Sequence, residues 1–192
     1  MKKYALVLFF PALGLLALPA RGHDPHEHGV ARLNAALEGR RLSLELDGPL
    51  ANLLSFEHAP RTEAQRNEVR GMAAKLRNAE TLFVPSRAAS CRLESVALAS
   101  GNLPGSLLDP AAPDASGQPG HAEAHGEKED AAEHGELDAA FVFLCDKPEA
   151  LTQIEVRLFG AFPALREIEA QIAVPGKQGA AELTPASRML KW

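Results

Sequence analysis

The sequence lacks the motifs that mark the common enzyme classes. It contains no HExxH zinc-protease pair, no GxSxG nucleophile elbow, no phosphate-binding P-loop and no glycine-rich dinucleotide fingerprint. The stretch His26-Glu27-His28 places two histidines only two positions apart, whereas HExxH needs them four apart on one helix face. The sequence therefore predicts a protein that is not an enzyme.

Basic residues are also in deficit. The 20 lysines and arginines face 25 aspartates and glutamates, which gives a net charge of -5. Removal of residues 1–22 would take away Lys2, Lys3 and Arg21 but no acid, and the net charge would become -8. Because such a surface repels phosphates, nucleic acid is excluded as a partner, whereas cations and basic partners are compatible with it.

No apolar run is long enough for a membrane-spanning helix. The longest, residues 4–18, covers 15 positions, and a span needs about 20. A positive segment before this run and small residues after it are typical of a cleaved signal peptide over residues 1–22, with a membrane anchor as the alternative. Cleavage after Gly22 would begin the mature chain at His23, and cleavage after Ala20 is the other option. No cysteine follows the run, which argues against a lipid anchor.

Cysteine is scarce. Cys91 and Cys145 are the only two, and neither belongs to a CxxC pair. In an exported chain such an even pair predicts one disulfide. The alternative is a metal site built from cysteine and histidine, which the isolated positions make weak. Because the two cysteines bracket a histidine-rich tract, we expect the disulfide to fix where that tract leaves the fold.

Alternation of apolar and polar residues predicts most of the strands. Residues 31–37 and 42–46 alternate around a turn that contains glycine, the pattern of an antiparallel hairpin. Residues 62–80 carry an apolar stripe at helical spacing behind a capping box of Thr62 and Gln65, which predicts a helix. Further strands are predicted at residues 91–98, 139–145, 153–158 and 167–174. The fold class is therefore α+β, with a mainly antiparallel sheet of about seven strands, one substantial helix and a long flexible His/acid-rich loop.

Histidine and acid concentrate in residues 121–138, which hold seven carboxylates and only one large apolar residue, Leu137. Such a segment cannot build a core, and it follows a spacer rich in glycine and proline over residues 100–120. We therefore expect a flexible loop over residues 100–138 within a single zinc-binding domain of residues 23–192. The metal ligands predicted in this loop are His121, His125 and His134.

A second histidine cluster opens the mature chain. His23, His26 and His28 lie within six positions, and acids flank them. Chain termini are flexible by default, so these imidazoles could gather around one metal ion, although a solvated tail is the alternative. His58 follows Glu57 and is either structural or a further ligand. In the sharper hypothesis, the terminal cluster and His58 share one tight site, and the loop supplies metal to it.

Imidazole and carboxylate together are ligands of Zn(II), which takes about four donors in a tetrahedron. Cu(II) would bind such donors at least as well, and Ni(II) is a further candidate, so the pattern alone does not name the metal. Protonated imidazole cannot ligate, so metal binding should weaken as the pH falls through about 6.5. The alternative is a solvated linker whose histidines have no ligand role.

Several short motifs distributed along the mature chain are informative in combination. They are His26-Glu27-His28-Gly29 running into Val30-Ala31-Arg32-Leu33-Asn34, Ala51-Asn52-Leu53-Leu54, Phe56-Glu57-His58-Ala59-Pro60, Arg157-Leu158-Phe159, and the ending from Leu183-Thr184-Pro185 to Leu190-Lys191-Trp192. With the two cysteines and the insert between them, the chain resembles the ZrgA-type periplasmic zinc-uptake proteins of Gram-negative bacteria.

This resemblance implies a periplasmic zinc-binding protein that scavenges Zn(II) and delivers it to an ABC-type zinc importer. The insert has three histidines, where family members can carry many more, so a high zinc capacity is not implied. The alternatives are a non-catalytic periplasmic structural or interaction module with incidental histidines, and a binder of another divalent transition metal such as copper or nickel.

Overall fold

The computed structural model describes residues 28–111 and 135–192. The strands in this part of the chain are β1 (Val30–Glu38), β2 (Arg41–Pro49), β3 (Phe83–Pro85), β4 (Cys91–Ala99), β5 (Glu136–Cys145), β6 (Gln153–Val156), β7 (Glu167–Val174), β8 (Lys177–Leu183) and β9 (Met189–Lys191). The helices are α1 (Glu63–Arg77), α2 (Ala79–Leu82), α3 (Gly105–Leu108) and α4 (Leu158–Ala161). Single 3-10 turns lie at Leu50–Asn52, Arg87–Ala89 and Pro148–Ala150.

Six strands form the larger sheet, in the order β4-β5-β2-β1-β7-β8. All neighbours are antiparallel except β1 and β7, which run parallel from Val30 opposite Glu167. The hairpin of β1 and β2 turns through Gly39, whose φ of 57° is one that glycine adopts without strain. Period-two alternation in these strands puts their apolar side chains on one buried face. The predicted hairpin and the mainly antiparallel α+β class are confirmed.

A three-stranded sheet, β3-β6-β9, and helix α1 complete the core. The rings of Phe83 in β3 and Phe141 in β5 lie 4.9 Å apart and join the two sheets. Helix α1 begins at the predicted capping box, since Thr62 and Gln65 each bind the other's backbone N–H. Its buried residues form the apolar stripe that the sequence predicts: Val69, Met72, Ala73 and Leu76.

The structure contains more strands than expected and more order before the His-rich tract. The described residues hold nine strands rather than about seven, because β3 and β9 have three residues each and β8 is almost all exposed. Within the predicted spacer, α3 occupies residues 105–108. Three of the nearby leucines are buried: Leu103, Leu107 and Leu108. These leucines attach the first part of the predicted flexible loop to the core, and β5 has begun by Glu136. The rest of the predicted loop lies outside the described residues.

The predicted signal peptide, residues 1–22, also lies outside the described residues. Across residues 28–111 and 135–192, no helix is both long and apolar enough to cross a membrane.

Candidate metal centre

Two of the seven predicted histidine ligands lie within the described residues. His28 is the first residue described, directly before β1, and His58 follows the 3-10 turn Leu50–Asn52. The other histidines lie outside the described residues, so their part in metal binding stays a prediction: His23, His26, His121, His125 and His134.

The imidazole of His28 faces the carboxylate of Glu57. Its Nε2 atom lies 3.2 Å from Oε1 of Glu57. The His28 side chain is 58% exposed, whereas the Glu57 side chain is 18% exposed and its Oε1 atom is buried. A carboxylate shielded from water acts more strongly on a nearby cation than an exposed one, because screening by solvent is weaker.

The distance within this pair suits two ligands of one zinc ion. Bonds of about 2.0–2.1 Å at the tetrahedral angle put two donor atoms roughly 3.4 Å apart. The 3.2 Å between the imidazole nitrogen of His28 and the carboxylate oxygen of Glu57 is close to that value. Nε2 binds a metal only when it carries no hydrogen, so zinc binding by both atoms requires the His28 tautomer with its hydrogen on Nδ1. The pair can therefore supply two of the four donors that zinc takes.

The ring of His58 contacts a backbone carbonyl, as the rings of metal-binding histidines commonly do. Its Nδ1 atom lies 2.8 Å from the carbonyl oxygen of Ala59, and since a carbonyl only accepts, Nδ1 carries the hydrogen. The Nε2 atom of the neutral ring then has the free lone pair. Histidines that bind metals commonly donate their other N–H to a backbone carbonyl in this way. The ring also packs on Phe56 with centroids 5.3 Å apart, so the contact fits a structural role equally well.

The backbone that carries His28 is held by two side chains from elsewhere in the fold. Asn52, at the end of the 3-10 turn, accepts from Gly29 N at 2.6 Å and donates to Val30 O at 2.6 Å. Arg166, just before β7, donates to His28 O at 2.6 Å. Gly29 has a φ of 92°, and a Cβ there would overlap the Arg166 guanidinium, so both the conformation and the contact call for glycine.

The chain that follows the His-rich tract lies against Glu57. Gly135 O accepts from Leu50 N at 2.8 Å. A Cβ on Gly135 would overlap the carbonyl oxygen of Glu57 and would lie 2.5 Å from Leu50 Cδ1, so this close approach requires glycine. His28 and Gly135, the residues at which the two histidine-bearing segments join the described structure, therefore both lie beside Glu57.

Within residues 28–111 and 135–192, no three histidine, cysteine, aspartate or glutamate side chains form a group that could hold a metal. The site described here is therefore a pair, and any further donors come from beyond these residues. Glu57 adjoins His58 in the sequence but is not among the ligands predicted from it. The signal available was its position as the one acid in Phe56-Glu57-His58-Ala59-Pro60.

A second acidic contact lies on the sheet near the end of the His/acid-rich tract. Asp138 in β5 is directly opposite Asp47 in β2. Burial, together with the charge and hydrogen bond of Asp47, raises the pKa of the Asp138 carboxyl above its usual range. Two carboxylates that disfavour each other's charge reduce stability at neutral pH, and no third donor in the described residues completes a metal group with them.

The cysteines are not metal ligands, because Cys91 and Cys145 form a disulfide. They are directly paired between β4 and β5, which confirms the predicted bond and excludes the Cys/His site. The expected position of the bond is wrong, however. The tract ends at the start of β5 and Cys145 is at its end, and ten residues of strand extend about 33 Å. The disulfide therefore lies far from Gly135, where the tract rejoins the described structure.

The chain matches one protein family over most of its length. The matching family is described as "ZrgA family zinc uptake protein", and the match covers residues 25–192. No curated protein sequence matches the chain. The matched region includes every predicted histidine ligand except His23, together with the contact between His28 and Glu57.

Proposed function

We propose, since the chain belongs to the ZrgA family of zinc uptake proteins, that it binds Zn(II) through His28 and Glu57 and passes the ion on for uptake. The observation that carries this proposal is the contact of the His28 imidazole with the Glu57 carboxylate, next to Gly135. An imidazole nitrogen and a shielded carboxylate oxygen lie at ligand spacing, and both histidine-bearing segments join the fold there.

The remaining donors, in this proposal, come from the predicted histidines. His23 and His26 precede His28 by five and two positions, whereas His58, although it adjoins Glu57 in the sequence, forms no metal-binding group with the pair within the described residues. His134 directly precedes Gly135, and consecutive Cα atoms are about 3.8 Å apart, so it is the loop histidine tethered closest to the pair. His121 and His125 would act as an auxiliary site that gathers zinc for the tight one.

Calorimetry tests the zinc site. Chelator-stripped protein of residues 23–192 is titrated with Zn(II) at about pH 7.5, where imidazole is neutral, and again with Cu(II) or Ni(II) in competition. We expect His28→Ala and Glu57→Gln each to weaken the tight site about tenfold or more, which is about 1.4 kcal/mol. His121, His125 and His134 replaced together by alanine should remove a weaker class of sites and weaken the tight one less than His28→Ala does.

The matched control is Glu63→Gln, because Glu63 is an exposed acid of α1 that pairs with Arg66 and Arg70. It removes the same charge from the surface and should leave zinc affinity unchanged. If His28→Ala and Glu57→Gln bind zinc as the control does, the pair is not the site. If the unaltered protein binds zinc only at millimolar concentrations, the proposed function is wrong.

We further propose that the protein acts in the periplasm after loss of residues 1–22, and that it delivers zinc to an ABC-type importer. The net charge of -8 that would remain after cleavage supports attraction of cations and of a basic docking partner. Intact mass of protein from the periplasmic fraction should correspond to a chain that starts at His23.

Cells without the gene should grow poorly under a zinc chelator, and a His28→Ala copy should not restore growth. Normal growth of the deletion strain would contradict delivery and favour a structural or interaction module.

A further inference from the structure

Asn52 is the one polar side chain that is buried in the described core, with 2% of its surface exposed. Burying an amide is unfavourable unless its hydrogen bonds are made. Both ends of this amide are used, and both bind the same short stretch of backbone, at Gly29 and Val30. Leucine would offer neither bond at this position, and aspartate would lack the donor. The role of Asn52 is therefore to bind the backbone of residues 29 and 30 and not simply to fill space in the core.

Arg166, which lies much later in the chain, binds the same stretch of backbone. Its Nη2 atom donates to His28 O, and the backbone N–H groups of Arg166 and Glu167 both donate to Gly29 O, at 2.8 and 3.0 Å. The carbonyls of His28, Gly29 and Val30 and the N–H of Gly29 are therefore all bound. His28 is left with only its side-chain rotations to adjust.

We infer that Asn52 and Arg166 are positioning residues for the metal centre: together they clamp the backbone of residues 28–30 and so hold the His28 imidazole over the Glu57 carboxylate. The inference rests on the proposed zinc site. Without the clamp, the backbone at His28 would adopt more conformations, and bringing its imidazole to Glu57 would cost conformational entropy on every binding event. With the clamp, the backbone of residues 28–30 becomes ordered during folding, before zinc binds.

Zinc titration of two clamp variants tests the inference. Asn52→Ala removes both amide bonds and should weaken the tight site about tenfold or more. Arg166→Ala removes the contact to His28 O and should weaken it about threefold or more. Arg166 is exposed, so this variant should fold even if Asn52→Ala does not. Loss of a positive charge near the site would by itself favour cation binding, so weaker binding reports the lost contact.

Two controls separate positioning from general loss of stability. Asn67→Ala removes an exposed asparagine of α1 and should leave zinc affinity and the Co(II) spectrum unchanged. Leu107→Ala opens the core at α3 and should lower the melting temperature while leaving zinc affinity unchanged. The visible spectrum of the Co(II)-loaded protein adds a readout of ligand geometry. It should change in the clamp variants and stay unchanged in Leu107→Ala.

The outcomes distinguish the inference from the function on which it rests. Zinc affinity within about twofold of the unaltered protein in both clamp variants, with an unchanged Co(II) spectrum, would overturn the clamp while His28→Ala still weakens binding. Equal weakening in Leu107→Ala and Asn52→Ala would also overturn it, since stability alone would then explain the loss. If His28→Ala and Glu57→Gln bind zinc normally, the site itself fails, and the clamp fails with it.

Discussion

The disulfide offers the prediction whose size follows most directly from the structure. Cys91 and Cys145 are partners in the ladder of β4 and β5 and are 54 positions apart in the chain. Closing a loop of this length removes conformational freedom from the unfolded chain, and the chain-entropy relation gives about 4 kcal/mol at 25 °C. For a chain of this size each kcal/mol corresponds to about 2–4 °C in melting temperature, so loss of the bond should lower it by about 8–16 °C.

The fold itself should survive this loss. Strand β4 is also held by its hydrogen bonds to β5, and Leu93, Val96 and Leu98 pack against the core. Zinc affinity should survive as well, because the bond lies at the opposite end of β5 from Gly135, about 33 Å away. The bond should therefore stabilise the domain without shaping the metal centre.

Thermal unfolding followed by circular dichroism checks both statements. The double variant Cys91→Ala, Cys145→Ala is compared with the unaltered protein, each with and without reductant, in metal-free buffer. Reductant should lower the melting temperature of the unaltered protein alone and bring it near that of the variant. A decrease below about 3 °C would refute the loop-closure argument. A loss of zinc binding in the folded variant would refute the separation of the disulfide from the metal centre.

Three further substitutions test a close approach at Gly135, a glycine within α1 and the pair of carboxylates at Asp138. Gly135→Ala should lower both the melting temperature and zinc affinity, because the added Cβ overlaps the carbonyl of Glu57, whereas Gly160→Ala, with open space around it, should leave zinc affinity unchanged. Gly71→Ala, in the exposed face of α1 with nothing near the new Cβ, should raise the free energy of unfolding by up to about 1 kcal/mol in urea titrations. Asp138→Asn should raise stability at neutral pH. Because burial and a facing carboxylate raise the pKa of Asp138, its charged form is disfavoured in the folded state. The gain in the free energy of unfolding should therefore shrink as the pH falls towards the usual aspartate pKa. A gain that is constant with pH would contradict this explanation.

Patterns that repeat along the chain predicted the regular elements. The hairpin of β1 and β2 follows from strict alternation over both strands, since one face of each is buried and the other is exposed. Helix α1 follows from the capping box and the apolar stripe, both of which are local. In each case the information lies within about twenty neighbouring residues, so the sequence alone was sufficient.

The elements that were missed have weak local signals. Strand β8, KQGAAEL, has little apolar alternation, because it is an edge strand with only Leu183 buried. Helix α3 has four residues inside a stretch of glycine and proline, and it is ordered by packing of its leucines against α1 and by the bond from Arg77 to Leu108 O. These contacts come from distant parts of the chain, and composition over a short window does not show them.

The metal centre shows the same limit. The histidine clusters predicted ligand chemistry, but the contact between His28 and Glu57 joins residues 29 positions apart. It depends on one buried amide in a three-residue turn and on two glycines that permit close approach. Neither the amide nor the glycines differ in sequence pattern from others in the chain. Residue types therefore indicated transition-metal ligands without naming the metal, whereas the contact between His28 and Glu57 required the fold.

The two classes of proposed zinc ligand should differ in how they contribute to affinity. His28 and Glu57 are held by the fold, so zinc binding to them requires little further ordering, and they should set the tightest step. The sequence places the other predicted histidines, apart from His58, on segments with almost nothing to bury, and a segment that must be ordered on binding contributes less affinity. Tethering to His28 and Gly135 nevertheless keeps them at high effective concentration beside Glu57. Deleting residues 120–134 should therefore lower the number of zinc ions bound and leave the affinity for the first ion nearly unchanged. A large loss of affinity for the first ion would instead place the tight site in the loop.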